Sequence, residues 1–332
     1  GDHSALGAIE VQVTDVTDRR AAVQALDHVD AVVLAAAVTS AAERERQRPQ
    51  ETLETNILGF TNLLEAARAD GAKRIVNLSS ASAYGATGFM GEGPMTEEGD
   101  WPRPDTLYGV SKLASEGIAS RLATLWGADI VSVRLSSVFG PWERDTGRRD
   151  TLSPHLQAAR LMLAGETAVL PRVCKRDWTD SRAVAAAIVG VLKARRLAHP
   201  LYNVSSGREW TVADWLDALV AARPELKWRL AEAGEPGNVT THGDKDRRPI
   251  SCERLRSELG LDLWRAPADL ATDFLDWRDA TRGYWGGVRA AGFAPRSGGA
   301  IWAGRGGVAA RSRDRCSAAR PPAAQAAPCS PR

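Results

Sequence analysis

Cysteine is scarce in this sequence, and long apolar runs are absent. Only 4 of the 332 residues are cysteines, and they are too far apart for the paired spacing of a zinc site: Cys174, Cys252, Cys316 and Cys329. We therefore expect no metal centre and a reduced, cytoplasmic setting. The longest apolar run, residues 183–192, is about half of a membrane crossing, and the first residues lack the segments of a signal peptide. We expect no membrane partner.

The net charge is nearly balanced, but the charges are unevenly distributed. With 43 basic and 41 acidic residues, the formal net charge is +2, which gives no reason to expect a nucleic-acid partner. Residues 283–332 carry eight arginines, one acidic residue (Asp314) and many Gly, Ala and Pro residues without apolar periodicity. This composition predicts a disordered basic tail. A tail that binds nucleic acid or an acidic surface is the weaker alternative, because such charge runs are usually solvated.

Strand and helix patterns alternate along the first 140 residues. Runs rich in β-branched residues predict strands over 9–14, 31–36, 74–79 and 130–135, and helical spacing predicts helices over 18–26, 49–69 and 107–126. Mostly apolar strands that alternate with helices are typical of a parallel sheet covered on both faces. The predicted fold class is therefore α/β, with a doubly wound parallel sheet.

The pattern after residue 150 is less regular. It predicts helices over 155–164, 181–195, 212–222, 251–259 and 268–281, and short strands over 168–170 and 201–204. These elements suit a smaller lobe at the carboxyl edge of the sheet, where doubly wound folds bind ligands.

Two residues in the predicted helix 107–126 have the chemistry for proton transfer. Tyr108 and Lys112 are one helical turn apart and share a face of the helix. A nearby ammonium group favours the phenolate form of tyrosine, which exchanges protons with a substrate hydroxyl. The spacing alone is weak evidence, because a Tyr and a Lys on a solvated helix face give the same pattern.

Ser80 follows the predicted strand 74–79. The carboxyl end of such a strand lies at the ligand crevice, so we expect the Ser80 hydroxyl to bond to the same substrate oxygen as Tyr108. The alternative is a serine that only caps or turns the chain.

Further motifs follow in order along the chain. They are Asp15-Val16, Ala35-Ala36-Ala37, Asn56, Ser79-Ser80 with Tyr84-Gly85, Tyr108-Gly109 with Lys112 and Glu116, Arg134 with Val138-Phe139-Gly140-Pro141, and Arg176-Asp177-Trp178. This series resembles the extended short-chain dehydrogenases, the NAD-dependent epimerase/dehydratase family. The resemblance implies a Rossmann-like fold and an NAD- or NADP-dependent oxidoreductase or epimerase. Its substrate would be a sugar, a nucleotide sugar or a related hydroxyl compound that reacts by hydride transfer.

The resemblance also implies roles for individual residues. Tyr108 would be the catalytic acid/base, Lys112 would bind the nicotinamide ribose, and Ser80 would orient the substrate oxygen. The implied cofactor-binding residues are Asp15, Val16, Ala35, Ala36, Ala37, Asn56, Ser79, Tyr108 and Lys112. The implied substrate-binding residues are Ser80, Ser82, Ser137, Arg176 and Arg247, with Arg248 as an alternative to Arg247. Arginine suits an anionic substrate group such as a nucleotide phosphate, because its planar fork binds two oxygens.

The sequence departs from the family at its start. The family begins with a strand, a Gly-rich turn and a helix that bind the cofactor pyrophosphate, whereas residues 1–8 lead almost directly into what resembles the third strand. We expect the chain to lack the first βαβ unit. The predicted domains are an incomplete dinucleotide-binding domain (1–150), a substrate-binding lobe interleaved with the sheet (151–282) and the tail (283–332).

A second Gly-rich run, Gly85 to Gly91, has the spacing of the family's phosphate turn. Three prolines follow it where a helix should begin, so it favours a flexible loop over the substrate mouth.

Several alternatives stay open. Ala81-Ser82 replaces an acidic pair of the family's dehydratases, which disfavours dehydration, and Ser137 replaces a common Asn, which keeps a non-nucleotide substrate possible. One rival function is a truncated, catalytically impaired scaffold or binding protein of the same family. Another is a hydrolase that uses Ser79, Ser80 or Ser82, although no His/Asp partner set is evident. The resemblance also implies a homodimer through helices 49–69 and 107–126. The preference between NAD and NADP is open.

Overall fold

A computed structural model describes residues 9–26, 28–241, 243–281 and 300–304. The strands are β1 (Ile9–Val13), β2 (Ala31–Leu34), β3 (Arg74–Ser80), β4 (Ile130–Leu135), β5 (Val138–Phe139), β6 (Thr167–Leu170), β7 (Lys175–Arg176), β8 (Thr179–Asp180), β9 (Leu201–Val204), β10 (Trp210–Thr211), β11 (Lys227–Leu230) and β12 (Ala300–Gly304). The α-helices are α1 (Arg19–Ala25), α2 (Ala42–Gln47), α3 (Pro49–Leu53), α4 (Phe60–Asp70), α5 (Leu107–Trp126), α6 (Pro154–Leu163), α7 (Ser181–Lys193), α8 (Val212–Ala222), α9 (Glu253–Leu259) and α10 (Pro267–Ala280). None of the helices in these ranges is long and apolar enough to cross a membrane.

A four-stranded parallel sheet with the order β2-β3-β4-β9 forms the centre of the fold. In register, Val33 pairs with Val76, Val76 with Val131, and Val133 with Tyr202. β3 and β4 are in the middle of this sheet and are buried over most of their length. Burial on both faces explains why their sequences are apolar without alternation.

Helices cover both faces of the sheet. One face packs against α1, α4 and α5 through a cluster that includes Val32, Leu64 and Ile130. The opposite face packs against α7 and α9 through a cluster that includes Val184 and Leu255. The predicted doubly wound α/β fold is confirmed.

The first strand forms as predicted, but it does not join the parallel sheet. β1 pairs antiparallel with β12, with Ile9 opposite Gly304 and Val13 opposite Ala300. A strand needs a hydrogen-bonded neighbour, and residues 300–304 provide one; of these five residues, Ile301 and Trp302 are types that favour strands. These five residues depart from the disorder predicted for 283–332. The other residues of that tail lie outside the described ranges.

The predicted helix 49–69 is interrupted by a wider turn. A π-helical segment, Glu54–Gly59, separates α3 from α4. Within it, Asn56 is buried, and a Cβ at Gly59 would lie 2.5 Å from Cγ2 of Val16. Single turns of this kind within helices occur often at functional sites.

The residues after 150 include a second hydrophobic core. Trp178, Trp215 and Phe274 are buried between α6, α8 and α10, and His155 stacks on Phe139 with ring centroids 4.0 Å apart. β6 pairs with β11, and β7 pairs with β10. The predicted helices of this lobe form at nearly the predicted positions, while the domain boundaries stay a prediction.

Candidate active site

The carboxyl ends of the four parallel strands bring the predicted site residues to one edge of the sheet. Ala35–Ala37 follow β2, Ser80 ends β3, Ser137 follows β4, and Ser205 follows β9. Parallel strands point the same way, so all four ends meet at this edge. This is the edge at which doubly wound folds bind their ligands.

α5 lies close against the end of β3. A Cβ at Gly109 would be only 2.5 Å from the carbonyl oxygen of Ser82, so the helix approaches this closely because position 109 has no side chain. Lys112 is 7% exposed, and its Nζ donates to the carbonyl oxygen of Leu78 at 2.7 Å. That Nζ also lies 5.7 Å from the centroid of the Tyr108 ring. The structure therefore brings Tyr108 and Lys112 together beside β3.

Ser80 has a local structural role. Its Oγ accepts from the backbone N–H of Ser82 at 3.1 Å and donates to Ser82 Oγ at 3.2 Å, which caps the 3₁₀ turn of residues 81–83. The capping alternative raised by the sequence is thus observed. Ser80 is only half-buried, so part of this residue stays exposed at the sheet edge.

Asn56 joins the backbone after β2 to the Tyr108 helix. Its Oδ1 accepts from the N–H of Val38 at 2.8 Å, and its Nδ2 donates to the Val38 carbonyl at 3.0 Å and to Ser111 Oγ at 2.9 Å. The Ser111 hydroxyl in turn donates to the carbonyl oxygen of Tyr108 at 2.8 Å. Asn56 thus fixes the backbone at Val38 relative to α5, beside the predicted cofactor site.

Asp15 and Val16 lie in the turn after β1. The Asp15 carboxylate accepts from the N–H and the hydroxyl of Thr17 at 2.9 and 2.7 Å. Val16 is buried against Gly59, and its carbonyl accepts from Asn62 at 3.0 Å. The predicted adenine contacts would therefore come from the Asp15 side chain and the Val16 backbone.

A buried ion pair lies behind the site and was missed by sequence reasoning. Glu116 pairs with Arg134, and the hydroxyl of Ser79 donates to Glu116 Oε1 at 2.5 Å. Burial alone would lower the pKa of Arg134, but its interactions with Glu116 and, to a lesser degree, Tyr84 outweigh burial and raise that pKa. Arg134 lies over the Tyr84 ring, 4.4 Å from its centroid, and burial raises the pKa of Tyr84. The signal was a charged residue, Arg134, within a buried and mostly apolar strand.

Ser79 was predicted to bind the cofactor, but its hydroxyl is buried against Glu116. A cofactor at this position would therefore contact the backbone of Ser79 and not its hydroxyl.

A group of buried arginines faces the same edge. Burial, followed by the charges of Arg247 and Arg172, lowers the pKa of Arg176 to about 10. Arg247 is 8% exposed, and its Nη2 lies 3.6 Å from Asp177 Oδ1. Within the described structure, the Nε and Nη2 atoms of Arg247 have no hydrogen-bond partner. Buried like charges with unused donors are suited to bind an anion.

Asp177 connects this group to the sheet. Its Oδ2 accepts from the Ser205 hydroxyl at 2.8 Å and from the N–H of Ile250 at 3.0 Å, and its carbonyl accepts from Ser136 Oγ at 2.9 Å. The arginines therefore border the ends of β4 and β9.

Arg248 contacts a different part of the structure from Arg247. Its guanidinium donates to the carbonyls of Glu92 and Gly93 at 3.0 and 2.7 Å and pairs with Asp100. The Arg248 guanidinium thus fixes the loop that follows the Gly-rich run 85–91. The run itself forms a short 3₁₀ turn, Ala86–Phe89, and does not lead into an α-helix. The run lacks the strand–turn–helix context of a dinucleotide phosphate turn. Among the described residues, no cluster of His, Cys, Asp and Glu is arranged to hold a metal ion.

Comparison with known proteins decides the family. The profile of the NAD dependent epimerase/dehydratase family matches residues 2–205, which is more than half of the chain. The chain belongs to this family. The resemblance seen in the motifs is thereby confirmed.

Curated relatives match shorter segments of this family member. A uronate dehydrogenase of Pseudomonas syringae pv. tomato is 34% identical over 140 residues, which are 42% of this chain and 46% of the relative. UDP-glucuronate 4-epimerase 6 of Arabidopsis thaliana is 38% identical over 99 residues, which are 30% of this chain and 21% of the relative. The chain thus spans less than half the length of either relative.

The similarity in three dimensions extends further. The structure of a UDP-glucose 4-epimerase of Thermus thermophilus in complex with NAD matches with a TM-score of 0.64 and 26% identity, covering 80% of this chain and 84% of that chain. This match covers both the sheet and the smaller lobe, and it supports the α/β fold independently of the motifs.

Proposed function

We propose that this family member is an NAD(P)-dependent oxidoreductase or epimerase that acts on a nucleotide sugar or a related sugar. The observation that carries this proposal is a set of contacts at the carboxyl ends of neighbouring strands. The buried Arg176 and Arg247 flank Asp177, which bonds to Ser136 after β4 and Ser205 after β9, and Lys112 bonds to Leu78 near the end of β3. Proton-transfer groups beside an anion site suit a phosphorylated alcohol or ketone. The names of the relatives, a uronate dehydrogenase and a UDP-glucuronate epimerase, support the same class of substrate.

Tyr108 is the proposed acid/base. As a phenolate it takes the proton of the substrate hydroxyl while the carbinol carbon loses its hydrogen as hydride, and in the reverse direction the phenol returns the proton. Lys112 places its charge beside the Tyr108 ring, and its bond to the Leu78 carbonyl fixes the ammonium group. Ser80 donates to or accepts from the same substrate oxygen and orients it. In epimerisation, the ketone is reduced again from its other face.

The residues at the end of β2 fit a dinucleotide. Ala35–Ala37 have small, partly exposed side chains that leave room beside the sheet edge, and Asn56 fixes the backbone next to them. These residues would hold the cofactor, with Lys112 at its ribose. When bound, NAD(P) supplies the hydride acceptor.

Arg176 and Arg247 would bind the diphosphate of the substrate. Their charges lie close together in the interior beside the single carboxylate of Asp177, and a bound diphosphate would add negative charge there. A bound diphosphate would accept from the unused Nε and Nη2 atoms of Arg247.

The proposal also includes the formation of a homodimer. Leu53, Leu58 and Val110 are exposed on the α3–α4 segment and on α5, and exposed apolar side chains on these helices suit a four-helix interface. Sedimentation of the purified chain would give the mass of the particle in solution, and a monomer at micromolar concentration would contradict the proposed homodimer.

Two titrations test the proposal. Tryptophan fluorescence, with 11 tryptophans as reporters, should show saturable binding of NADH or NADPH. Calorimetry with UDP and GDP should show binding that Arg247→Met weakens about 10–100-fold and Arg247→Lys weakens less, because a charged hydrogen bond contributes about 1.5–3 kcal/mol. The surface variant Arg229→Met should behave as the wild type.

The rival scaffold function makes the opposite prediction. An impaired scaffold would fold and bind UDP but would show no saturable signal with either dinucleotide and no turnover of UDP-glucose or UDP-glucuronate. That combined result would replace the enzyme proposal.

A further inference from the structure

The short helix α2 places a carboxylate at the N-terminus of the Tyr108 helix. Glu45 Oε1 accepts from the backbone N–H of Leu107 at 2.8 Å and from the N–H of Tyr108 at 3.3 Å. The hydroxyl of Ser40 donates to the same oxygen at 3.2 Å. We infer that Glu45 is a positioning residue that fixes the first turn of α5 and, through it, the phenol of Tyr108. Only the kinetic consequence of this inference rests on the proposed function.

The first amides of α5 need partners from outside the helix. The first N–H groups of any α-helix have no acceptor within the helix. In α5, the Thr106 hydroxyl accepts from Gly109 N–H at 3.0 Å, and Glu45 accepts from the two amides before it. A carboxylate is also stabilised by the positive end of the helix dipole. Glu45 therefore completes the cap at the residue that carries the proposed acid/base.

Contacts on the other side of α2 hold Glu45 in place. Arg44 Nε lies 3.0 Å from Asp150 Oδ1, and Arg44 Nη2 donates to the Gly147 carbonyl at 2.9 Å. The N–H of Ala41 donates to Asp150 Oδ2 at 2.7 Å. α2 is thus anchored to the loop between β5 and α6, and its carboxylate has a defined position beside α5.

Such positioning has a kinetic consequence. Proton transfer requires the phenol oxygen within hydrogen-bond reach of the substrate hydroxyl, and a displacement of about 1 Å can reduce the rate about 10²-fold. The first turn of α5 carries Tyr108, whereas Lys112 is one turn further along and is held separately by Leu78. Loss of Glu45 should therefore affect the proton-transfer step more than ligand binding.

The test compares Glu45→Ala and Glu45→Gln with a matched control, Glu43→Ala. Glu43 is on the same helix, is exposed and pairs with Arg46 of its own helix. In the full chain, Glu45→Ala should speed hydrogen exchange at the amides of Leu107 and Tyr108 at least about tenfold and lower kcat about 10–100-fold, with KM within about twofold. Glu45→Gln keeps an acceptor oxygen and should recover most of both losses. Glu43→Ala should match the wild type.

Each outcome is decisive for Glu45. Unchanged amide exchange in Glu45→Ala overturns the inference, as does a kcat equal to that of Glu43→Ala in an active enzyme. Faster exchange throughout the chain, with no recovery in Glu45→Gln, would show a merely structural role and also overturn it. If the wild type turns over neither UDP-glucose nor UDP-glucuronate, the proposed function fails on its own. The amide exchange and the ¹³C resonance of Tyr108, assigned with Tyr108→Phe, then still decide whether Glu45 fixes this turn.

Discussion

Arg134 and Glu116 form a two-point ion pair in the interior, with Nε 2.9 Å from Oε1 and Nη2 2.7 Å from Oε2. The pair joins β4, in the centre of the sheet, to α5, which carries Tyr108 and Lys112. It therefore sets how α5 lies on the sheet. Glu116 also accepts from Ser79, the neighbour of Ser80, so one carboxylate connects all three elements of the proposed site.

Removing one partner of this pair should destabilise the fold. Glu116→Gln leaves the Arg134 guanidinium buried without its counter-charge, and we expect a loss of about 3–5 kcal/mol in the free energy of unfolding. Urea unfolding measures this loss. The surface variant Glu43→Gln, which also loses an ion-pair carboxylate, should change little. A loss for Glu116→Gln no larger than for Glu43→Gln would show that the pair does not hold α5.

Lys112 should contribute to both cofactor binding and turnover. Lys112→Met removes the ammonium group that bonds to Leu78 and lies beside Tyr108, and we expect NADH affinity to fall about 10–100-fold. Fluorescence titration measures this change. Lys73→Met, which removes an exposed lysine paired with Asp30, is the control. Equal affinity in the two variants would place Lys112 outside the cofactor site.

Arg176 gives the anion site a distinct pH dependence. It is a base whose pKa is lowered to about 10, so the folded protein loses this proton at a lower pH than the unfolded chain does. Its contribution to stability therefore rises with pH above about 10, because the unfavourable buried charge disappears. Binding of UDP needs the charged form, so affinity should be constant from about pH 7 to 9 and should fall as the pH passes about 10.

Calorimetry of UDP at several pH values checks this expectation. Arg176→Met should bind UDP more weakly than the wild type at neutral pH. Its affinity for UDP should also fall much less as the pH passes about 10. An undiminished decline in that variant would assign it to another group.

The sequence predicted correctly those elements whose ends are set by residues next to them in the chain. α5 forms at its predicted limits because Thr106 caps its start and Gly127, with a positive φ of 61°, ends it. β4 also forms at its predicted limits, since its apolar residues are buried in the centre of the sheet. Tyr108 and Lys112 share a face of α5 because of helical periodicity alone, so their proximity was predictable.

Features that depend on distant partners were not predictable in the same way. The β1–β12 pairing joins residues near the two ends of the chain, and no local pattern specifies it. Glu45 contacts amides 62 and 63 positions further along, and the sequence gives no sign of this contact. Arg247 and Arg248 are neighbours of the same type, yet only the fold directs one toward Asp177 and the other toward the loop after residue 90.

The most direct test of the account is hydride transfer by the wild type and by Tyr108→Phe. This variant removes a single hydroxyl, so its circular dichroism and its NADH affinity should match those of the wild type. With NAD or NADP and a UDP-sugar that the wild type oxidises, we expect the single-turnover rate of the variant to fall about 10²–10⁴-fold. A variant that forms reduced cofactor at the wild-type rate would contradict the assignment of Tyr108 as the acid/base.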